Sequence, residues 1–213
     1  MKLWNEWCVP DTETMIGDIV MEWKNKSTLI INKCKKKEIV VQAGGHVGIF
    51  PIGLSKHFRQ VITFEAVPTN FECLVENIQV RELHNIDYYS VGLGRERGSA
   101  NISATKQGNS GATQLVPTDM GDITLTTIDD LNLVDLDLLW LDIEGMEVDA
   151  LEGARNTIRK FQPIIVLENN GLIFAKEFRP DGEEELREYM KENFDYTLQD
   201  RLMRDDIYAP RGY

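Results

Sequence analysis

No apolar run in the chain approaches the roughly 18 residues that a membrane-spanning helix needs. The first residues, MKLWNEWCVPDTE, carry acids where a secretory signal would have a continuous apolar core. The expectation is a cytoplasmic protein with no membrane partner. Cysteine is scarce. Cys8, Cys34 and Cys73 are odd in number and scattered, which fits neither a disulfide framework nor a zinc site and suits reduced thiols. Positive charge is also outweighed, with 23 basic against 35 acidic residues and a net charge of −12. A field of that sign repels phosphate backbones, so no nucleic-acid partner is expected. The one basic cluster, Lys33 to Lys37, reads as a solvated turn before a core strand. Fixed-period repeats and low-complexity linkers are missing too, and 213 residues suit one domain with its own core.

What is present is organised around Ile39 to Phe50, IVVQAGGHVGIF. A strand without polar alternation is buried on both faces, as in a parallel sheet. Gly44, Gly45 and Gly48 follow it, letting the chain turn sharply and a ligand approach main-chain N–H groups. A helix predicted from Ile49 would open its positive end onto that loop. Further apolar strands are read at 61–64, 86–91, 138–141 and 164–167, with amphipathic helices between them. Residues 101–127 read as loop plus a hairpin on the sheet's rim, a last helix starts near Asp181, and Tyr196–Leu198 and Ile207–Ala209 read as an antiparallel pair. Residues 1–37, with Ile16, Ile19, Val20 and Trp23 at helical spacing, form an amino-terminal arm with a short helix that seals the sheet edge. The fold class is a doubly wound α/β sheet with helices on both faces, and residues 38–213 are its core.

In such sheets ligands sit beyond the carboxyl ends of the strands. Gln42 with the glycines, Glu65, Ser90, Asp142 with Glu144, and Glu168 with Asn169 follow successive strands. Glu65 lies 21 residues after Gly44, near the distance at which an acid reaches ribose hydroxyls, although capping the next helix would also explain it. The loop reads A-G-G-H-V-G, with Ala43 in the first position of a dinucleotide fingerprint, which argues against NAD. His46 inside it is a minor candidate base, with packing or capping the plainer use.

Leu138 to Ala154, LLWLDIEGMEVDALEGA, together with VVQAGGHVG and FEAVPTNFECLVEN, resembles the FkbM-type family of S-adenosylmethionine-dependent methyltransferases. The resemblance rests on Asp142, Glu144, Gly145, Glu147, Leu151, Gly153 and Ala154, with the threonine–aspartate turn at Thr126 to Leu131 upstream and Pro163 and Ile165 to Glu168 downstream. It covers about residues 38–170. It implies a Rossmann-like sheet of seven strands with the last reversed, and methyl transfer from S-adenosylmethionine to a hydroxyl of a sugar or small natural product, leaving S-adenosylhomocysteine. It also implies that Gly44, Gly45 and Gly48 cradle the methionine end and that Glu65 holds the ribose, with Ala66 beside it. Ser90 would lie near the adenine, Asp142 would face the sulfonium and acceptor, and Glu144 would support that site. Two positions depart from the family. Gln42 stands where an aspartate usually orients the cofactor's amino group, and Trp140 stands where lysine is common.

Asp142, Glu144, Glu168 and Asn169 offer oxygen ligands of the kind magnesium accepts, but each acid has a simpler use and no metal is expected. The rival functions are a nicotinamide-dependent oxidoreductase, which lacks a Tyr-x-x-x-Lys arrangement, and a non-catalytic nucleoside-binding relative. Trp4, Trp7 and Phe174 are the aromatics that stacking on an acceptor would call upon.

Overall fold

The computed structural model describes residues 1–106, 108–169 and 182–213. Phe174 and Asp181, which enter the sequence reading, lie outside them. The chain begins with a hairpin of β1 (Lys2–Trp4) and β2 (Trp7–Val9), followed by α1 (Ile16–Lys33). β3 (Ile39–Ala43), α2 (Ile49–Leu54), β4 (Gln60–Phe64), α3 (Pro68–Gln79) and β5 (Ile86–Tyr89) then alternate as the apolar pattern demands. β6 (Gly92–Leu93), β7 (Gly98–Lys106), β8 (Asn109–Thr118) and β9 (Ile123–Thr126) form a separate block. The remainder is β10 (Leu138–Leu141), α4 (Glu147–Glu152), α5 (Arg155–Phe161), β11 (Ile164–Glu168), α6 (Gly182–Phe194), β12 (Tyr196–Leu202) and β13 (Asp205–Pro210).

The main sheet is mixed and has the order β12-β13-β11-β10-β3-β4-β5. β11, β10, β3, β4 and β5 run parallel, while β13 is antiparallel to both its neighbours. Strand pleating divides the core in two. Val40, Val61, Leu138, Trp140 and Val166 face α1, α2 and α3. Val41, Ile62, Leu139, Leu141 and Ile165 face α4, α5 and α6. Both faces are covered by helices, so β10 carries apolar residues at every position, and β3 and β4 at most of theirs, instead of every second one.

Three expectations change. The amino-terminal helix is 18 residues long and lies against a face of the sheet, with Ile30 and Ile31 buried there, instead of sealing an edge. Helical periodicity from Val148 to Phe161 hides a break between α4 and α5 at Gly153 and Ala154. A Cβ on Gly153 would run into the Gly94 carbonyl, so the chain can pass there only as glycine. Residues read as loop plus hairpin build a second sheet of order β6-β9-β7-β8. Its small, polar strands bury little beyond Ala100, Ile123 and Leu125, which is why periodicity understates them. Among the described residues no helix is long and apolar enough to cross a membrane.

Trp140 is fully buried, edge-on to Phe50 at 5.1 Å and stacked with Trp23 at 6.3 Å. Truncating it leaves a cavity between α1, α2 and the sheet. Trp140→Ala is expected to lower the unfolding free energy by about 3–5 kcal/mol in chemical denaturation.

Candidate active site

The glycine loop leaves β3 beside the end of β10. The Asp142 N–H donates to the Ala43 carbonyl at 3.1 Å. Gly44 has φ +83°, and a Cβ there would collide with the Asp142 carbonyl oxygen. Both facts make glycine obligatory, because the left-handed conformation and the close approach coincide. Gly48 also has positive φ and packs against Ile52 and Leu74 at the start of α2; it lines neither cavity described below. That helix is only six residues long, shorter than its sequence pattern.

Gln42 serves the loop from beneath. Its Nε2 donates to the carbonyls of Ala43 and Gly44, each at 3.0 Å, and its Oε1 accepts from Thr63 Oγ1 at 2.7 Å. A carboxylate has no donor to satisfy those two carbonyls. The departure at this position is therefore a local hydrogen-bonding choice, and Gln42 shapes the loop without lining a cavity.

Glu65, buried at the end of β4, accepts from the His46 N–H at 2.7 Å and from the Val67 N–H at 2.8 Å. The two readings offered by sequence thus combine: the side chain ties the glycine loop to the start of α3 and still has lone pairs for a ligand. Burial pushes its carboxyl above the ordinary value, opposed by the Val67 N–H and by His46.

The turn after β10 is held in an unusual shape. Glu144 has φ +52° and Gly145 φ +105°. Glu147 accepts from the Ile143 and Gly145 N–H groups, each at 2.9 Å, and so pins the turn from below. Burial raises its carboxyl to about 8 despite those donors. Asp142, Glu144 and Glu168 bring carboxylate oxygens within 4.8 Å of one another. Burial, and then the neighbouring Asp142 and Glu144 charges, push Glu168 up to about 10; burial raises Asp142 as well, offset in part by Lys26. Carboxyls this close cannot all ionise, so a proton shared between Asp142 and Glu168 satisfies them. The same spacing would accept an oxygen-ligated divalent cation.

Two adjoining cavities meet at Gly44, Glu65, Gly111 and Asp142. The smaller, about 50 Å³, is walled by Phe64, Ala66, Val91, Leu93, Leu115 and Met146. Ser90 is exposed and outside it; the next three residues, 91–93, form that wall instead. The larger, about 440 Å³, runs past Gly45, His46, Glu144 and Glu168 to α1, where Ile19, Glu22 and Asn25 face it. Trp4 and Trp7 line neither, and Trp7 instead lies under the Arg81 guanidinium at 4.2 Å.

Sequence reasoning missed the closure over the loop. Glu13, ahead of α1, accepts from the Ser110 N–H and Oγ at 2.8 Å each, and lies 3.3 Å from His46 Nε2. Burial alone would raise Glu13, but hydrogen bonds from His46, the Met15 N–H and Ser110 hold it down at about 2. Residues 13, 46 and 110 are too far apart in the chain for any motif to join them. His46 is thus a fastening point between the loop, the arm and β8, while its Nδ1 is buried and without a hydrogen-bond partner.

A polar atom left open beside a glycine cradle, an acid on each flank and a narrow apolar cleft fit a nucleoside with a charged tail. Fold and site together define an α/β domain of the methyltransferase type. Its sheet superposes on the methyltransferase FkbM of Methylobacillus flagellatus with a TM-score of 0.59 at 22% identity, covering 81% of this chain and 43% of that one. It also superposes on the precorrin-6y C5,15-methyltransferase of Geobacter metallireducens with a TM-score of 0.52 at 11% identity, covering 96% and 93%. The chain belongs to the methyltransferase FkbM domain family, whose pattern matches residues 44–198. Methyltransferase 1 of Beauveria bassiana is 24% identical over an alignment of 159 residues, and the match covers 59% of this chain and 64% of that protein. The chain thus spans less than two thirds of that relative and under half of the Methylobacillus protein.

Two measurements check the site's construction. Glu147→Ala leaves two partly buried N–H groups without their acceptor and is expected to cost about 1–3 kcal/mol in unfolding free energy. Glu168→Gln imitates the protonated acid and is expected to shift metal-free stability by less than about 1 kcal/mol. A large loss, with wild-type melting raised by magnesium, would assign the three acids to a cation instead.

Proposed function

We propose that this protein is an S-adenosylmethionine-dependent methyltransferase acting on a hydroxyl oxygen of a small acceptor, such as a sugar or a natural product. One observation carries the reading: Gly44, Glu65 and Asp142 converge on both cavities, so one elongated ligand can touch all three. The narrow cleft by Ala66, Val91 and Leu93 suits a flat base, and Glu65 has lone pairs left for ribose hydroxyls. The Gly44–Gly45 backbone and His46 Nδ1 are placed for the amino-acid end. When bound, S-adenosylmethionine supplies a methyl group already activated by its sulfonium charge.

The protein's remaining tasks are alignment and proton removal. The larger cavity holds the acceptor against Asp142, and a fixed attack geometry is where positioning gains rate. Asp142, whose carboxyl burial makes more basic than an ordinary aspartate, takes the hydroxyl proton. Glu168, sharing its proton, tunes that basicity, and Glu144 closes the same side of the cavity. The acids around the acceptor space leave an anionic acceptor poorly matched.

Isothermal titration is expected to show binding of S-adenosylmethionine and S-adenosylhomocysteine and none of NAD. With an acceptor found as a product 14 daltons heavier by untargeted mass spectrometry, Asp142→Asn should cut turnover by roughly 10²–10⁴-fold and leave nucleoside binding measurable. Undiminished turnover would remove Asp142 from proton transfer, and indifference to both nucleosides would end the reading.

A further inference from the structure

Among the described residues, one lysine is kept where a lysine is costly. Lys26, in the middle of α1, is 1% exposed, although its neighbours Lys24 and Asn25 would suggest a solvated stretch. Its Nζ lies 2.8 Å from Glu22 Oε1 and in direct contact with the Asp205 carboxylate. It also sits over two aromatic faces, 5.1 Å from the Phe50 centroid and 5.5 Å from that of Trp140. Burying such an ion pair is weak support for stability, since apolar residues of similar size often do as well or better. Its surroundings point elsewhere. Glu22 and Phe50 line the larger cavity, and the Lys26 charge acts on Asp142, whose carboxylate faces the same space. The strand residue two before Asp142, where the family commonly carries lysine, is Trp140, and the ammonium arrives above that ring from α1 instead.

We propose that Lys26 is a positioning residue of the methyl-donor site: its ammonium is the counter-charge that limits how strongly the acidic cavity prefers a cationic nucleoside to its neutral product. The proposal rests on the methyltransferase reading. Asp142, Glu144, Glu22 and Asp205 crowd one end of the sheet around the proton-holding Glu168. Left uncompensated, they would hold a sulfonium in its ground state, and binding that is lost on the way to the transition state slows the chemical step. A fixed ammonium among them trims that excess and steadies the Glu22 carboxylate on the cavity wall. Burial would depress the Lys26 pKa, but Asp205, Glu22 and Asp142 outweigh it, so the charge stays on.

The test is the ratio of affinities for S-adenosylmethionine and S-adenosylhomocysteine, measured by titration calorimetry on wild-type protein, Lys26→Met, Lys26→Arg and Glu22→Gln. The two nucleosides differ by one methyl and one charge, so damage to packing weakens both alike, whereas a change of local charge moves their ratio. Lys26→Met is expected to raise the preference for the cationic nucleoside at least about threefold, and Glu22→Gln to lower it by a similar factor. Lys26→Arg should stay within about twofold of wild type. Should Lys26→Met fail to fold, Lys26→Gln, which also removes the charge, is read for the same rise in the ratio, because Glu22→Gln alone reports on the cavity wall. Parallel losses with an unchanged ratio would overturn the proposal and leave Lys26 a structural anchor. Wild-type protein that binds neither nucleoside would instead overturn the methyltransferase reading and this inference with it.

Discussion

Among the described glycines, the one with least room for a Cβ lies where two loops meet. Gly44 passes the Asp142 carbonyl at a separation that leaves no room for a Cβ, just where its φ is positive. β3 and β10 are neighbouring parallel strands, and this contact lets their ends lie side by side. Every other part of the site is placed by reference to it. Gln42 holds the carbonyls of the first loop, Glu147 the N–H groups of the second, and Glu65 ties the first to α3. The cavities open only where those three fastenings stop.

The fastenings are mostly carboxylates, and that has an electrostatic consequence. Glu13, Glu65, Asp142, Glu147 and Glu168 lie within one end of a chain of net charge −12. Glu13, which collects N–H donors, the Ser110 hydroxyl and His46, stays ionised, whereas burial outweighs the two N–H donors of Glu147. Acids that lack enough such partners are driven toward the neutral form, as Glu168 is. The same residue type thus supplies both anchors and proton-holding groups, sorted by what surrounds each. Lys26 and Arg204 bring positive charge to this end, one buried beneath it and one at the mouth of the larger cavity.

The amino-terminal segment turns out to be part of the site. Asn77 on α3 exchanges two hydrogen bonds with the backbone of Cys8 and donates a third to the Val47 carbonyl, each at 2.8 Å. The arm is thereby locked to the glycine loop. Its α1 then provides one wall of the larger cavity, and Glu13 closes over His46 and Ser110. Cys8 and Cys73, scattered in sequence, become neighbours with sulfurs 3.5 Å apart, both free thiols.

By itself the sequence determined the central strands of the main sheet and most of the helices, because a strand buried on both faces is largely apolar and an amphipathic helix must repeat its apolar face. It also located Gly44, Glu65 and Asp142, since each follows such a strand directly. Only the tertiary structure decided that Gln42 donates to the Ala43 and Gly44 carbonyls, and that residues 91–93 wall the smaller cavity while Ser90 lies outside it. It alone brought Glu13, Ser110 and Lys26 to the site. Those choices depend on contacts between segments distant in the chain, where polar residues find partners that local spacing does not encode. Burial then sets the charge state of each acid, and burial is a property of the assembled fold.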